Sequence, residues 1–379
     1  MPYGFLGVLF AVYMSQLGLD AFVIGIVLTV TVFTSAFYTF AISFIADRLG
    51  RRRTLIFFAF MDFVAGSLLF FSSEWWAPLL AGIVGNMTVG AGEVGPFLSI
   101  EQAILPKTCD TKRRTLAFSV YNLAGYASSS VGSLLAGLPQ YVGSGPAAFR
   151  PLFFGYLISG LVGSLLYSRL SSAVEVEAAR SVQSRSVLSR RSKPIVRKLS
   201  ALFAVDAFGG GLIGQSIISY YFYERFALQL SSLGVVFSAT QIVTAFSFLV
   251  AERVARKIGL LNTMVFSHIP SNIFLAAIPF APSAAGAVTL LLCRHSLSQM
   301  DVPTRQSYLM AVVDESDRTA AAGFTNVSRS VSQSLSPSLA GYTIANLWIG
   351  FPLAAAGALK ILYDLILYGS FRKVRPPEE

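Results

Sequence analysis

Charge is scarce in this chain. Asp, Glu, Lys and Arg make up 13% of its 379 residues while hydrophobic types make up 54%, a balance that excludes a water-soluble globular enzyme. Cysteine is nearly absent: Cys109 lies in a basic stretch and Cys293 in an apolar one, which leaves neither a disulfide framework nor Cys/His metal spacing. No Walker loop, nucleophile elbow or metal-ligand cluster occurs, so ATP hydrolysis and covalent catalysis have no residues to carry them and no cofactor is implied. Bases outnumber acids, 29 to 19, for a net charge of +10. They sit in short clusters between long apolar runs, which is the pattern of membrane-protein loops rather than of a nucleic-acid surface.

A helix needs about 20 apolar residues to cross roughly 30 Å of hydrocarbon. Twelve such stretches can be marked off, at 2–16, 21–45, 54–72, 76–104, 116–138, 150–168, 199–223, 232–250, 260–280, 284–312, 320–346 and 350–371. The even-numbered loops and the C-terminal tail carry 23 of the 29 bases, so the positive-inside rule predicts both termini in the cytoplasm of a multi-pass protein. The first span rises only about 22 Å and is expected to be truncated. Gly234 matches Gly25 at an offset of 209, which would put the counterpart of Asp206 before Met1. The Ser-rich segment 169–198 holds eight bases and two acids. It reads as a solvated cytoplasmic linker or as an anionic-lipid or regulatory site, between bundles at 1–168 and 199–379.

The halves repeat. At an offset of 204, Gln102 aligns with Gln306, Asp110 with Asp314, Arg114-Thr115 with Arg318-Thr319, Asn122 with Asn326 and Leu135-Ala136-Gly137 with Leu339-Ala340-Gly341. The expected fold is an all-α membrane protein of twelve transmembrane helices, built as two six-helix bundles related by a pseudo-two-fold axis around a central cavity.

Charges buried in the membrane cost about 2.5 kcal/mol or more and mark cavities, pairs or pathways. Six acids (Asp62, Glu93, Glu101, Asp206, Asp301, Asp364) and four bases (Arg294, Arg305, Arg329, Lys360) fall within spans. In the tenth span Arg294, Ser298, Asp301 and Arg305 are spaced four, three and four and share one face. Arg294, near the midplane, is the leading substrate or coupling residue. His295 beside it is either a proton carrier or a packing histidine, and His268 reads as packing. The seventh span has Asp206, then Gly209-Gly210-Gly211 and Gln215. Three glycines cost about 1 kcal/mol each in a helix, so they serve either a bend beside an ionisable group or close helix packing; the bend is the first reading. Asn122 with Tyr126 and Asn326 with Arg329 are candidate cavity polars. Lys360 and Asp364 are expected to pair at i, i+4. Glu101 and Arg305, related by the repeat, either meet across the axis as a cytoplasmic gate or pair within their own halves.

The loop after the second span reads Asp47-Arg48-Leu49-Gly50-Arg51-Arg52-Arg53, and a second copy is expected at Glu252-Arg253-Val254-Ala255-Arg256-Lys257. With twelve spans, a central linker and the repeat, this resembles the major facilitator superfamily, whose signature there is G-x-x-x-D-R-x-G-R-R; Ser43 replaces its first glycine. The resemblance implies that Asp47 accepts hydrogen bonds at the N-terminus of the eleventh span, so that the loop with Arg48, Gly50, Arg51 and Arg52 latches the outward-open state. The alternative is a purely topogenic basic loop. It also implies that the first, fourth, seventh and tenth spans line the cavity, turning Asn86 and Glu93 inward, and that Asp62, Lys360 and Asp364 lie on peripheral spans. Gly125, Gly132 and Gly137 of the fifth span resemble the small-residue packing of proton antiporters in that superfamily, without their Gly-Pro element.

The expected function is secondary active transport of a small solute by alternating access, proton-coupled and outward, by a monomer in the plasma membrane. A facilitator or importer of an organic anion using Arg294 and Arg329 is the alternative, and a non-transporting sensor or scaffold on the same fold the remote one. Coupling is expected to run through Glu93 and Asp301, with Arg294 shared between acid and substrate.

Overall fold

The computed structural model describes residues 1–87, 95–105, 114–171, 174–175, 188–314 and 317–374; within these, the side chains of 43–48, 98–99, 102–103, 114–119, 248–249, 252 and 319 fall outside the description. The described regular structure is all helical. In chain order it runs α1 Pro2–Gln16, α2 Ala21–Leu49, α3 Arg51–Phe71, α4 Trp76–Val84, α5 Gly95–Ile104, α6 Arg114–Leu135, a single turn α7 Pro139–Val142 and α8 Arg150–Ser168. It continues with α9 Ser192–Leu212, α10 Gln215–Phe226, α11 Leu230–Ile258, α12 Leu260–Ala277, α13 Ala284–Ser298, α14 Asp301–Val312, α15 Arg318–Asn346 and α16 Phe351–Phe371.

Seven described segments are long and apolar enough to cross a bilayer unaided. Three of the expected spans are interrupted: the fourth and tenth, outside these seven segments, and the seventh, within one of them. The fourth is broken, since α4 ends at Val84 and Gly85 turns extended (ψ 159°), and the helix restarts with Pro96 in its first turn. The tenth breaks at Gln299-Met300 and restarts with Pro303 in its first turn. A proline has no N–H for the carbonyl four residues back and fits best in a first turn, where that N–H would be unpaired anyway; Pro270 and Pro337 by contrast stand inside the continuous α12 and α15. The seventh is expected as one helix to 223, yet it ends at Leu212 and resumes at Gln215 after Ile213 and an extended Gly214 (ψ 150°).

The described chain forms two compact units, Met1–Val182 with Gly214–Gln241, and Gln183–Ile213 with Ile242–Glu379. In the first unit α1 is enclosed, with Leu6 and the run Val8 to Met14 fully buried. Ser216 and Ser219 of α10 donate to its carbonyls at Gly7 (2.9 Å) and Val8 (2.5 Å), the polar bonding that joins helices where no hydrophobic force can. The α3–α8 pair closes on glycines: a Cβ at Gly66 would stand 2.5 Å from the Leu157 amide nitrogen, and one at Gly160 would run into Phe63. Of the fifth-span glycines, Gly132 and Gly137 meet Met1 and Ser231 closely, whereas Gly125 faces open space.

In the second unit Gly211 lies against Gln333 and Ser336 of α15, and Gly357 of α16 against Asn272 of α12. The glycine run is therefore used for close approach, and the interruption comes after it, at Ile213-Gly214. The repeat is visible in element bounds: α2 and α11 both have 29 residues, and each ends on a left-handed glycine that starts the next helix, Gly50 (φ +94°) and Gly259 (φ +87°). The tight turn of the second half is thus at Gly259, and Ala255 lies inside α11, which corrects the register expected for the second motif copy.

Candidate functional site

Asp206 of α9 is the hub of the second unit, 3% exposed. Lys360 of α16 reaches its Oδ1 at 2.5 Å, its stem lying where a Cβ on Gly209 would come within 3.0 Å. The small-residue run is what admits a lysine to this depth. Arg305 of α14 and Arg329 of α15 donate to Asp206 Oδ2 at 3.3 and 3.2 Å. Arg305 also bonds Asp301 Oδ2 at 3.1 Å and stacks over Phe203. His268 of α12 stands 3.9 Å from Asp206 Oδ1 and 2.9 Å from Asp364 Oδ1 of α16, and Asn272 donates to Asp364 Oδ2 at 3.2 Å.

Several expectations are corrected here. Lys360 and Asp364 do not pair with each other: each reaches across to another helix, Lys360 to Asp206 and Asp364 to His268. A cross-helix contact desolvates both partners together, which a pair stacked on one helix surface does not. His268 is part of the charge network and not a packing residue. Gln215 is separated from Asp206 by the break and belongs to the first unit, with its Oε1 3.4 Å from Gln241 Nε2 and its own Nε2 unpartnered.

Arg294 of α13 is the exception in the network. It is 8% exposed, its Nε has no partner, and among the described residues no carboxylate lies within 4 Å of it. Its Nη1 is 3.3 Å from His295 Nε2, and His295 Nδ1 is 3.3 Å from Thr244 Oγ1. A guanidinium only donates, so His295 accepts at Nε2 and is neutral, with its proton on Nδ1 toward Thr244. Ser298, one turn on, is buried with an unpartnered hydroxyl. The stripe Arg294, Ser298, Asp301, Arg305 is buried throughout despite the helix break inside it.

The first unit has a second centre around Asp62, which the sequence marked as a lone acid on a peripheral span, open to protonation, without its partners. Asp62 of α3 is 6% exposed; it accepts from Tyr3 (2.7 Å to Oδ2), Tyr156 (2.8 Å to Oδ1) and the Asn86 backbone N–H (3.1 Å to Oδ1). Asn86 holds the break in the fourth span, and Ser35 donates to its side-chain oxygen at 3.1 Å. Glu101 accepts from Tyr121 at 2.6 Å and Tyr167 at 2.5 Å. Glu101 and Arg305 thus each have partners in their own half, the second of the two arrangements considered. Asn122 and Asn326 are exposed. Glu93 lies outside the described residues, as do the side chains of Asp47 and Arg48.

Gly50, Arg51 and Arg52 form a turn clasped by the linker. Glu175 accepts from the Arg51 and Arg52 amides at 2.7 and 3.2 Å, an anion at the N-terminus of α3, and the Arg52 guanidinium bonds the Ser168 carbonyl. At the other end of the linker the Ser189 amide donates to Asp317 Oδ2 at 3.1 Å and the Ser189 hydroxyl to Asp314 Oδ2 at 2.8 Å. Hydrogen bonds from Ser189 and Ser192 hold the Asp317 carboxyl below its usual value. Residues 192–198 are already helical, so 169–198 is not solvated connector along its whole length.

Helices of spanning length with ionisable clusters inside them define a multi-pass membrane protein with a transporter fold. The chain belongs to the major facilitator superfamily, whose family model matches residues 1–337. It is similar, at 24% identity over 97% of this chain and 90% of the other, to an uncharacterized membrane protein of Saccharomyces cerevisiae. Its fold is similar to that of the nucleoside transporter NupG, with a TM-score of 0.74, 14% identity and coverage of 98% of this chain and 96% of that one. It is likewise similar to the xylose transporter XylE from E. coli in its inward open conformation, with a TM-score of 0.72, 13% identity and coverage of 97% and 92%.

Proposed function

We propose that the chain is a proton-coupled secondary transporter of a small anionic solute, working by alternating access with both termini in the cytoplasm of a plasma membrane. The observation that carries the reading is Arg294, a buried guanidinium with no carboxylate within 4 Å among the described residues, on the same unit as a network in which Arg305, Arg329 and Lys360 share Asp206. Counting Arg294, the spans of the second unit hold three buried bases and the half-buried Arg329 against the buried Asp206, Asp301 and Asp364 among the described residues. An unpaired charge in a low-dielectric interior is costly, and a carboxylate or phosphate on a solute removes that cost. This moves the balance from an unspecified solute to an anion, with Arg294 as its anchor and His295 and Ser298 as neutral hydrogen-bonding neighbours.

Reconstitution into proteoliposomes tests it, with counterflow of labelled small carboxylates, a phosphorylated solute, a pentose and a nucleoside, each with and without a pH gradient. Exchange of one anionic class, accumulation of it with the gradient, and loss of both in Arg294→Ala are expected. Exchange of the pentose or nucleoside with no anion competing would overturn the anionic reading. Right-side-out and inside-out vesicles separate export from uptake.

A further inference from the structure

We propose that Asp62 is the site where the coupling proton binds, and that its protonation weakens the contact holding the break in the fourth span. The word coupling rests on the function proposed above; the proton site itself does not.

Each described acid buried within the spans of the second unit has a base or a histidine beside it: Asp206 has Lys360, Arg305 and Arg329, Asp301 has Arg305, and Asp364 has His268. Asp62 has no base within 4 Å among the described residues, and the first-half spans contain no Lys, Arg or His apart from Arg150 at the edge of one. Asp62 is the twelfth residue of α3, roughly 16 Å along the helix from Arg51, which is about half the hydrocarbon thickness. A carboxylate there with no counter-charge is neutralised by taking up a proton.

The hydrogen-bond partners are suited to both states. Oδ1 carries two donors, Tyr156 and the Asn86 amide, while Oδ2 carries only the Tyr3 hydroxyl. A proton arriving at Oδ2 turns that bond round: the new O–H donates to Tyr3, whose hydroxyl rotates and accepts. No other partner has to move. Oδ1 then becomes a neutral carbonyl, and the bonds it accepts lose their charge assistance, roughly half their strength. One of them is the Asn86 amide, released from helix where α4 ends, whose buried N–H needs an acceptor. Across the break Gly95 (φ +45°) is packed so that a Cβ would collide with the Asn86 side chain and come within 2.9 Å of Ser35 Oγ. Proton uptake at Asp62 therefore bears on the interruption that follows Val84 in the fourth span. Among the described residues the titratable groups around this site are Tyr3 of α1, Tyr156 and Tyr167 of α8, Tyr38 of α2 and Glu101 of α5, the last held by Tyr121 and Tyr167; none of these is a cation.

The test is infrared difference spectroscopy on the purified full chain in lipid nanodiscs as pH is lowered through the physiological range. A carboxylic C=O band should grow in the wild type and be lost in Asp62→Asn, which copies the shape of the protonated acid. Tyr156→Phe removes a hydrogen bond to that carbonyl and should move the band to higher wavenumber, whereas Tyr167→Phe should leave it in place. In proteoliposomes Asp62→Asn should keep solute exchange and lose pH-driven accumulation. A titrating band that survives in Asp62→Asn, or no band at all in the wild type, would overturn the proposal, as would pH-driven accumulation by Asp62→Asn. If the band behaves as expected but no solute is driven by a pH gradient, the proton site stands and the transport reading fails.

Discussion

Asp206 holds three bases with one carboxylate, and that asymmetry decides what single substitutions do. Asp206→Ala strands Lys360 and Arg329, while Arg305 keeps Asp301. Breaking a buried pair from one side costs about 3–5 kcal/mol, and replacing both partners by apolar groups is often neutral. Asp206→Ala should therefore lower stability in detergent by that order, measured by reversible denaturation, and Asp206→Ala with Lys360→Met should recover part of the loss. Failure of the double variant to recover anything would mean that Lys360 is not energetically tied to Asp206. The in-span charges themselves were legible in the sequence because isolated ionisable residues are conspicuous in apolar runs. Their pairing was not. Lys360 and Asp364 at i, i+4 satisfy a local rule, and so do His268 and Asn272 on α12; instead Asp364 meets His268 and Asn272 across the α12–α16 contact and Lys360 turns to Asp206 of α9. Sequence spacing gives the face of one helix and says nothing of the neighbour it meets.

At the scale of elements, glycine and proline carry the information. A Cβ at Gly66 or Gly160 would meet backbone of the partner helix, while one at Gly155 on the same α8 meets nothing within 4 Å. Gly66→Ala and Gly160→Ala should cost about 1–3 kcal/mol by forcing α3 and α8 apart. Gly155→Ala should be neutral or gain up to about 1 kcal/mol of helix propensity. Equal effects at positions 155 and 160 would deny the close packing. The breaks in the fourth and tenth spans coincide with Pro96 and Pro303, but Pro270 and Pro337 stand inside continuous helices, so proline alone does not mark a break, and hydropathy, which averages over such positions, passed over both. The linker shows the reverse case. Its charge marked it as cytoplasmic, but its two anchors, Glu175 on the α3 N-terminus and Ser189 on the 314–317 loop, come from long-range contacts with no local pattern. The pH response of the second anchor has a definite sign. Because Asp317 has its carboxyl held below the usual value in the fold, its contribution is complete above the unfolded value near 4 and is lost as pH falls through the lower folded value. Amide exchange at 188–192 should be insensitive to pH in the neutral range, once corrected for intrinsic rates, and rise only in strong acid; Asp317→Asn should raise it in the neutral range and remove the acid-dependent rise.

Over the whole molecule the described in-span charges are set out differently in the two units. The first unit holds carboxylates bonded to tyrosines and an amide, and the second holds bases and acids in a network, with Arg294 lacking a carboxylate within 4 Å among the described residues. In the readings proposed above a proton and an anion are the two ligands, one on each unit. If both sites belong to one transport cycle, their free energies of binding are linked, and linkage is reciprocal: the factor by which protonation changes anion affinity equals the factor by which bound anion changes proton affinity. Hydrogen exchange read peptide by peptide separates the local from the coupled response. Lowering pH, with intrinsic rates corrected, should change exchange around Asn86 in the wild type and not in Asp62→Asn. A transported anion should protect the peptide that contains Arg294 and Ser298 in the wild type and not in Arg294→Ala. The coupled response is the change around Asn86 on adding anion at constant pH, expected in the wild type and abolished by either substitution. Two local responses without the coupled one would mean that the sites bind independently, and that the proton on Asp62 does not drive the solute.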